Sequence, residues 1–282
     1  MRLHEKRLDV EQDVADLQKQ NKTIGFVPTM GALHKGHLAL VQKALDENDV
    51  VVVSIFVNPT QFNNPEDLTN YPRTLESDIA LLSGLSNEII VFAPLPKEVY
   101  GSHTNATKYD FGGLEHEMEG KFRPGHFDGV GTVLKHLFTI VSPTKAYFGE
   151  KDFQQLQIVK KLVAIEKMAV EIIGCPIYRE ESGLALSSRN KRLTKKQLQE
   201  SSLIYKTLHE VKNDFGTKSV SKLTEWVSKE FKNNEALELE YFEIAKVSDL
   251  KSVKRKYKNI KYRAFIAAFA GEVRLIDNIA LN

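Results

Sequence analysis

Apolar residues follow two alternating rhythms along the first half of the chain. Short β-branched runs at residues 23–27, 50–55, 89–93, 145–148 and 170–174 predict strands. Between them, residues 37–47, 74–82, 129–141 and 153–167 repeat apolar positions at spacings of three and four, which predicts helices with one buried stripe. Strand and helix in strict alternation predict an α/β domain, a doubly wound parallel (Rossmann-like) sheet with crossover helices. After Cys175 and Pro176 the rhythm changes. Two amphipathic helices, 195–213 and 220–233, precede strand patterns at 239–244, 262–270 and 273–279, the last two joined by a tight turn at Gly271 and Glu272. The expectation is a larger domain over residues 1–175 and a smaller α+β C-terminal domain over 176–282.

Composition narrows the class without naming a chemistry. The chain has 282 residues, 42% of them hydrophobic and 27% charged, an ordinary globular balance. Its first residues alternate charge with isolated Leu and Val, unlike a signal peptide, and the longest apolar run, residues 50–57, is far below the ~20 residues that cross a bilayer. The expectation is a cytoplasmic protein with no membrane partner. The single cysteine, Cys175, has no partner for a disulfide or a thiolate metal site and reads as a small buried hydrophobe. A net charge of +2 hides an asymmetry: residues 1–175 carry 18 basic and 23 acidic side chains, the remainder 21 and 14. A basic C-terminal part suits either nucleic acid or the phosphates of a small nucleotide.

The chemistry-bearing residues cluster where predicted strands end. PTMGALHKGHL, from Pro28 to Leu38, places two glycines between a strand and a helix that begins near Gly36. A helix N-terminus offers backbone N–H groups and partial positive charge to a phosphate, and His34 and His37, three apart, can point to one side. The same pair at a surface turn would be two solvated histidines, and no carboxylate or Cys beside them completes a metal set. FVNPTQF, from Phe56 to Phe62, breaks a strand at Pro59 and exposes Asn58 and Gln61, amides suited to a small hydroxylated acid; the segment from Asn63 to Thr74 follows. FGEKD again follows a strand and opens a helix: Gly149 permits a turn, Lys151 supplies a point charge, and Asp152 suits a helix N-cap. Gln155 lies one turn further. Ser187, Ser188 and Arg189 join two hydroxyls to a permanent cation, either as a solvated cap before Thr194 or as a phosphate clamp. No Walker motif or GxGxxG is present.

PTMGALHxGH, FVNPxQF, YPRT, RPGHFxGVxTV, FGEKDxQQ and GLALSSRN, in that order over residues 28–190, resemble the motif series of the pantothenate synthetase (pantoate–β-alanine ligase) family, within the HxGH nucleotidyltransferase superfamily. VRLIDN near the C-terminus resembles the family too. The resemblance implies condensation of (R)-pantoate with β-alanine at the expense of ATP, through a pantoyl-adenylate, releasing AMP and pyrophosphate. It implies an ATP strip of Met30, Gly31, Ala32, Leu33, His34, Lys35, Gly36 and His37, with His37 the residue usually named as catalytic. Gly149, Glu150, Lys151 and Asp152 match a second ATP segment; Leu186, Ser187, Ser188 and Arg189 match the signature that closes over the triphosphate; Tyr178 matches a backbone contact to the nucleotide. Gln61 and Gln155 match the pantoate-binding glutamines, Gln61 also lying beside β-alanine. Asn58, Tyr71, Arg123 and His126 fall in family motifs. His34, His37, Lys151 and Arg189 would balance charge in the adenylation together with a Mg²⁺ that arrives with ATP, with no protein metal site of its own. A homodimer is implied as well.

Two departures stand out: Leu186 replaces a common Met of similar volume, and Ser182 replaces a common acidic residue. The rival readings are an adenylyltransferase acting on a phosphate-bearing acceptor, which FVNPxQF and the second glutamine disfavour, and an RNA-binding relative using the basic stretch 251–261. That stretch offers only Tyr257 for stacking, so no nucleic-acid partner is expected.

Overall fold

The computed structural model describes residues 1–62 and 65–282; Asn63 and Asn64, which open the segment after the Phe62 motif, lie outside the described residues. Contacts divide the chain into two compact units, Met1–Glu150 with Gln154–Pro176, and Lys151–Phe153 with Ile177–Asn282.

The first unit holds, in order, β1 (Arg2–His4), α1 (Arg7–Lys19), β2 (Ile24–Thr29), α2 (Lys35–Glu47), β3 (Val50–Ile55), a 3-10 turn at Pro59–Gln61, α3 (Pro65–Thr69), α4 (Leu75–Ser83) and β4 (Ile90–Phe92). α5 (Pro96–Tyr100), α6 (Met118–Phe122), α7 (His126–Val141), β5 (Lys145–Gly149), α8 (Phe153–Ile165) and β6 (Glu171–Cys175) follow. All strand pairs are parallel, in the order β1-β4-β3-β2-β5-β6. The expected doubly wound sheet is therefore present. Its strands are apolar almost throughout because both faces are covered: Phe26, Val27, Val51, Val52, Val53, Ile90, Val91 and Phe92 are all buried. From β2 the chain steps outward to β3 and β4, then returns to lay β5 on the other side of β2. That reversal is the switch point of a doubly wound sheet, beside which ligands gather at the carboxyl ends of strands.

Two N-terminal elements go beyond what the apolar pattern predicts. β1 is three residues long at the sheet edge, too short to show a period. Helix α1 buries only Val10 and Val14, four apart, amid charged residues, so its apolar stripe is too narrow to stand out.

In the second unit, α9 (Lys195–Glu200), α10 (Ser202–Asp214) and α11 (Val220–Lys232) precede β7 (Glu238–Lys246), β8 (Tyr262–Ala270) and β9 (Val273–Ala280). The three strands form the expected antiparallel sheet with β8 central, and β9 returns through Gly271 and Glu272. The amphipathic helices bury Leu208, Val211, Leu223, Val227 and Phe231 in one cluster with Phe242, Ile244 and Ile266. The single helix expected over 195–213 is instead two. Ser201 is fully buried at the break, where the Gln197 carbonyl accepts both its N–H at 2.9 Å and its hydroxyl at 2.6 Å.

Candidate active site

The turn from β2 into α2 is bolted to the sheet before it reaches the histidines. Gly31 (φ +83°) and Ala32 (φ +51°) are both left-handed, a conformation that costs an alanine roughly 1–2 kcal/mol. The cost is met by Asp78 of α4, a buried carboxylate that accepts from the backbone N–H of Ala32 at 3.0 Å and of Leu33 at 2.7 Å, and from the Thr74 hydroxyl at 3.3 Å. Gly31 N–H donates to the Thr29 hydroxyl at 3.2 Å, which donates in turn to the Ser54 carbonyl on β3 at 2.7 Å. Leu33 is buried beneath the loop. With Ala32 and Leu33 fixed, His34 falls at the N-cap of α2 and His37 in its first turn. Their imidazoles stack, centroids 4.0 Å apart and planes 24° apart, as spacing three at a helix start allows. No side chain caps α2 and its first turn holds no acidic residue, so the positive end of the helix is not neutralised by the helix itself.

The neighbouring strand ends in a second built element. Asn58, 1% exposed, caps the 3-10 turn Pro59–Gln61. Its Oδ1 accepts from Thr60 N–H at 3.2 Å, from the Thr60 hydroxyl at 3.0 Å and from the Tyr100 phenol; its Nδ2 donates to Gln61 Oε1 at 3.1 Å and to the Gly129 carbonyl at 3.2 Å. Burial pushes the Tyr100 phenol up to about 12, opposed by its contact with Thr60, so it stays a neutral donor at physiological pH. His126 Nδ1 lies 2.9 Å from the Gln61 carbonyl, and Gln61 Nε2 lies 2.9 Å from Met30 Sδ. The FVNPTQF and PTMGALH motifs thus meet side chain to side chain. Gly129 of α7 has a steric reason to be glycine: a Cβ there would sit 2.2 Å from the Thr60 carbonyl oxygen. Tyr71 packs edge-on against Phe62, and the Arg123 carbonyl accepts from His126 N–H at 3.1 Å at the start of α7.

On the other side of β2, β5 ends at Gly149, where an added Cβ would meet nothing within 4 Å; Glu150 follows. Two adjacent glutamines then divide. Gln154 is buried and fully used, donating to the Leu114 and Glu117 carbonyls at 2.8 and 2.7 Å and accepting from Glu119 N–H at 3.0 Å. Gln155 is half-buried beside it. Because β3, β2 and β5 are adjacent, the segments carrying Met30 to His37, Asn58 to Gln61, and Gly149 with Glu150 leave the carboxyl ends of three neighbouring strands.

The remaining expected residues belong to the second unit. Lys151 and Asp152 lie in the 3-10 turn that runs into α8, Asp152 directly before Phe153. Tyr178, 41% exposed, opens a small hairpin: Leu186 N–H bonds the Tyr178 carbonyl at 3.0 Å, Glu180 N–H the Leu184 carbonyl at 2.9 Å, and Arg179 bridges Ala185. Ser182 sits at the hairpin tip, its hydroxyl accepting from Leu184 N–H at 3.4 Å. Ser187 is indeed a cap, but of the 3-10 turn Ser188–Arg192, accepting from Arg189 N–H at 3.3 Å; α9 is capped by Thr194 in a reciprocal box with Gln197. Arg189 stays exposed at the start of that turn. In the basic stretch 251–261, Lys256 is committed to the protein: it donates to the Phe215 and Lys218 carbonyls and lies 4.8 Å over the Phe215 ring.

Sequence reasoning missed Asp78, since an Asp in the first turn of a helix is ordinarily a solvated capping charge. Only its distance of four from Thr74, which it bonds, hinted otherwise.

A family model described as pantoate-beta-alanine ligase matches residues 2–280. The chain is 56% identical over 282 residues to the pantothenate synthetase of Flavobacterium psychrophilum, covering 100% of both chains. It is 56% identical over 271 residues to that of Christiangramia forsetii, covering 96% of each. Among solved structures it is similar to the pantothenate synthetase of Thermus thermophilus (TM-score 0.90, 37% identity, 100% of this chain and 99% of that one). It is also similar to a Francisella tularensis pantoate-beta-alanine ligase complexed with beta-gamma ATP and beta-alanine (TM-score 0.81, 39% identity, 100% and 98%). On this full-length match, and on motifs that fall where a doubly wound sheet gathers ligands, the chain belongs to the pantoate-beta-alanine ligase family.

Proposed function

We propose that this chain carries out one ligase reaction in two steps. The enzyme condenses (R)-pantoate with β-alanine, consuming ATP and giving pantothenate, AMP and pyrophosphate through a pantoyl-adenylate. A carboxylate does not react with an amine in water because it is a poor electrophile, so activation comes first. One pantoate carboxylate oxygen attacks the α-phosphorus of ATP as the bond to pyrophosphate breaks. The negative charge that builds on the leaving pyrophosphate is countered by His34 and His37 at the uncapped start of α2 and by Lys151 and Arg189. Met30 to His37, Gly149 to Asp152, Tyr178, and Leu186 to Arg189 bind the nucleotide, and Gln61 and Gln155 bind pantoate. The neutral amine of β-alanine then attacks the acyl carbon, AMP leaves, and the amine loses its extra proton.

The observation that carries this reading is the stacked His34–His37 pair on a loop that Asp78 holds left-handed, joined through Met30 to Gln61. Among the described residues no group of three or more His, Cys, Asp or Glu could hold a metal ion; a Mg²⁺ arriving with ATP would offset phosphate charge during adenylation. Assembly as a homodimer and a cytoplasmic location, where ATP is available, belong to the same proposal. Sedimentation equilibrium and cell fractionation check them. Among the described residues no helix is long and apolar enough to cross a membrane.

The direct test is product analysis by chromatography with ATP and each acid or amine omitted in turn. AMP and pantothenate should appear in equal amounts only with pantoate and β-alanine both present. Release of ADP, or AMP formation independent of pantoate, would overturn the assignment.

A further inference from the structure

The VRLIDN segment of β9 has no role in the chemistry above, yet it contains two of the few buried polar side chains of the second unit: Asp277 is 3% and Asn278 2% exposed. Both reach toward segments expected to handle ATP. Arg179, in the hairpin that leads to Ser187, grips the Asp277 carboxylate with both arms of its guanidinium, Nη1 to Oδ2 at 2.6 Å and Nη2 to Oδ1 at 3.0 Å. The same guanidinium donates to the Gly183 carbonyl at 3.0 Å and lies 4.1 Å over the Tyr205 ring, which Gly183 approaches so closely that a Cβ would fall 2.3 Å from Tyr205 Cδ1. Asn278 N–H donates to Asp277 Oδ1 at 2.7 Å. On the other side, Asn278 Nδ2 donates to the backbone carbonyl of Lys151 at 2.9 Å, while its Oδ1 accepts from Arg263, whose guanidinium lies 3.9 Å over Phe153.

We propose that Asp277 and Asn278 are positioning residues for adenylation: through Arg179 they fix the hairpin that carries Ser187, Ser188 and Arg189, and through its carbonyl they fix Lys151. Two adjacent residues of one rigid strand thereby set two phosphate-handling segments in a common frame. The chemistry of the network suits that task better than a purely stabilising one. A buried ion pair is weak evidence for stability, since desolvation offsets most of its attraction, whereas bidentate geometry strongly restricts where the guanidinium can sit. Burial pushes the Asp277 carboxyl up, and Arg179 and the Asn278 amide pull it back.

The proposal rests on the roles given above to Lys151 and Arg189. It predicts that loss of the network harms the step in which pyrophosphate leaves and spares the step in which β-alanine attacks. The variants are Asn278→Ala, Asp277→Asn and Arg179→Ala, with the double variant Arg179→Ala/Asn278→Ala. The readouts are ATP–pyrophosphate exchange with pantoate, single-turnover consumption of synthetic pantoyl-adenylate by β-alanine, and thermal melting. Asn278→Ala should slow exchange about 10-fold or more, with adenylate consumption within about threefold of wild type, and the double variant should be no worse in exchange than its worse single parent, because the residues act as one unit. Asp277→Asn keeps the side-chain volume but turns an amide N–H toward a donor, which breaks the bidentate grip without opening a cavity; it guards against a misfolded Arg179→Ala and should show the same split. Equal losses in both half-reactions, or normal exchange in Asn278→Ala, would overturn the proposal. Absence of exchange in the wild-type enzyme would instead overturn the reaction roles on which it rests, so the two failures are distinguishable.

Discussion

Replacing Asp78 with Asn tests how far the histidine pair depends on the buried carboxylate that holds its loop. Asp78 is 1% exposed and accepts two backbone N–H groups of the β2–α2 loop, at 3.0 and 2.7 Å. Asn keeps one acceptor oxygen and turns an N–H toward the other donor. One charge-assisted hydrogen bond of about 1.5–3 kcal/mol is lost, and a buried donor is left facing another donor. The total is about 3 kcal/mol, larger than the roughly 1–2 kcal/mol that disfavours the left-handed Ala32. The loop is then free to relax, carrying His34 with it. At about 1.4 kcal/mol per tenfold, the competent loop becomes up to about 10²-fold rarer. Pyrophosphate exchange should fall about 10- to 100-fold. The melting temperature should drop by about 6–12 °C, taking 2–4 °C per kcal/mol for a protein of this size. Exchange within twofold of wild type in the folded variant would refute the reasoning, because it would show that the loop holds its shape without the carboxylate.

His37→Ala should lower turnover about 10²- to 10³-fold with the melting temperature nearly unchanged, since one donor is removed from a charge-stabilising set; near wild-type turnover would contradict it. Gln61→Ala and Gln155→Ala should weaken pantoate much more than ATP in calorimetric titrations, and equal losses would sink that division. Gly129→Ala places a Cβ 2.2 Å from the Thr60 carbonyl and should displace the turn bearing Gln61, costing about 1–3 kcal/mol of stability and raising the KM for pantoate; a normal KM in a destabilised variant would count against that link. Burial pushes the Cys175 thiol up to about 11, so at pH 8 only about 0.1% is thiolate and alkylation should be at least about 100-fold slower than in urea-unfolded protein. Because the folded value is raised, the associated stability is complete below the ordinary thiol value and is lost as pH climbs toward 11. Equal alkylation rates in the two states would disprove the burial argument.

What the sequence disclosed follows from where its signals are local. Strands β2, β3 and β5 were legible because burial on both faces makes them nearly uninterrupted apolar runs. The motifs at their ends were legible because glycines, histidines and amides are concentrated there. The stacking of His34 and His37 follows from a spacing of three at a helix start. The supports were not legible, because they act across long sequence separations. Asp78 reaches back 45 residues to Leu33, and Asn278 reaches 127 residues to Lys151. Nothing local distinguishes such residues from solvated ones. The break at Ser201 was hidden for a different reason: the apolar rhythm continues across it, and the buried hydroxyl that shares the Gln197 carbonyl with its own N–H leaves no mark in that rhythm. Gln154 and Gln155 look alike in sequence, and only burial separates the one that staples residues 114–119 from the one left half-buried.

The claim on which everything else depends is that activation of pantoate precedes, and does not require, the arrival of the amine. Isotope exchange measures it: the wild-type enzyme is incubated with ATP, pantoate, Mg²⁺ and labelled pyrophosphate, without β-alanine, and label is followed into ATP. The account predicts rapid, pantoate-dependent labelling of ATP. Labelling that appears only after β-alanine is added would contradict it.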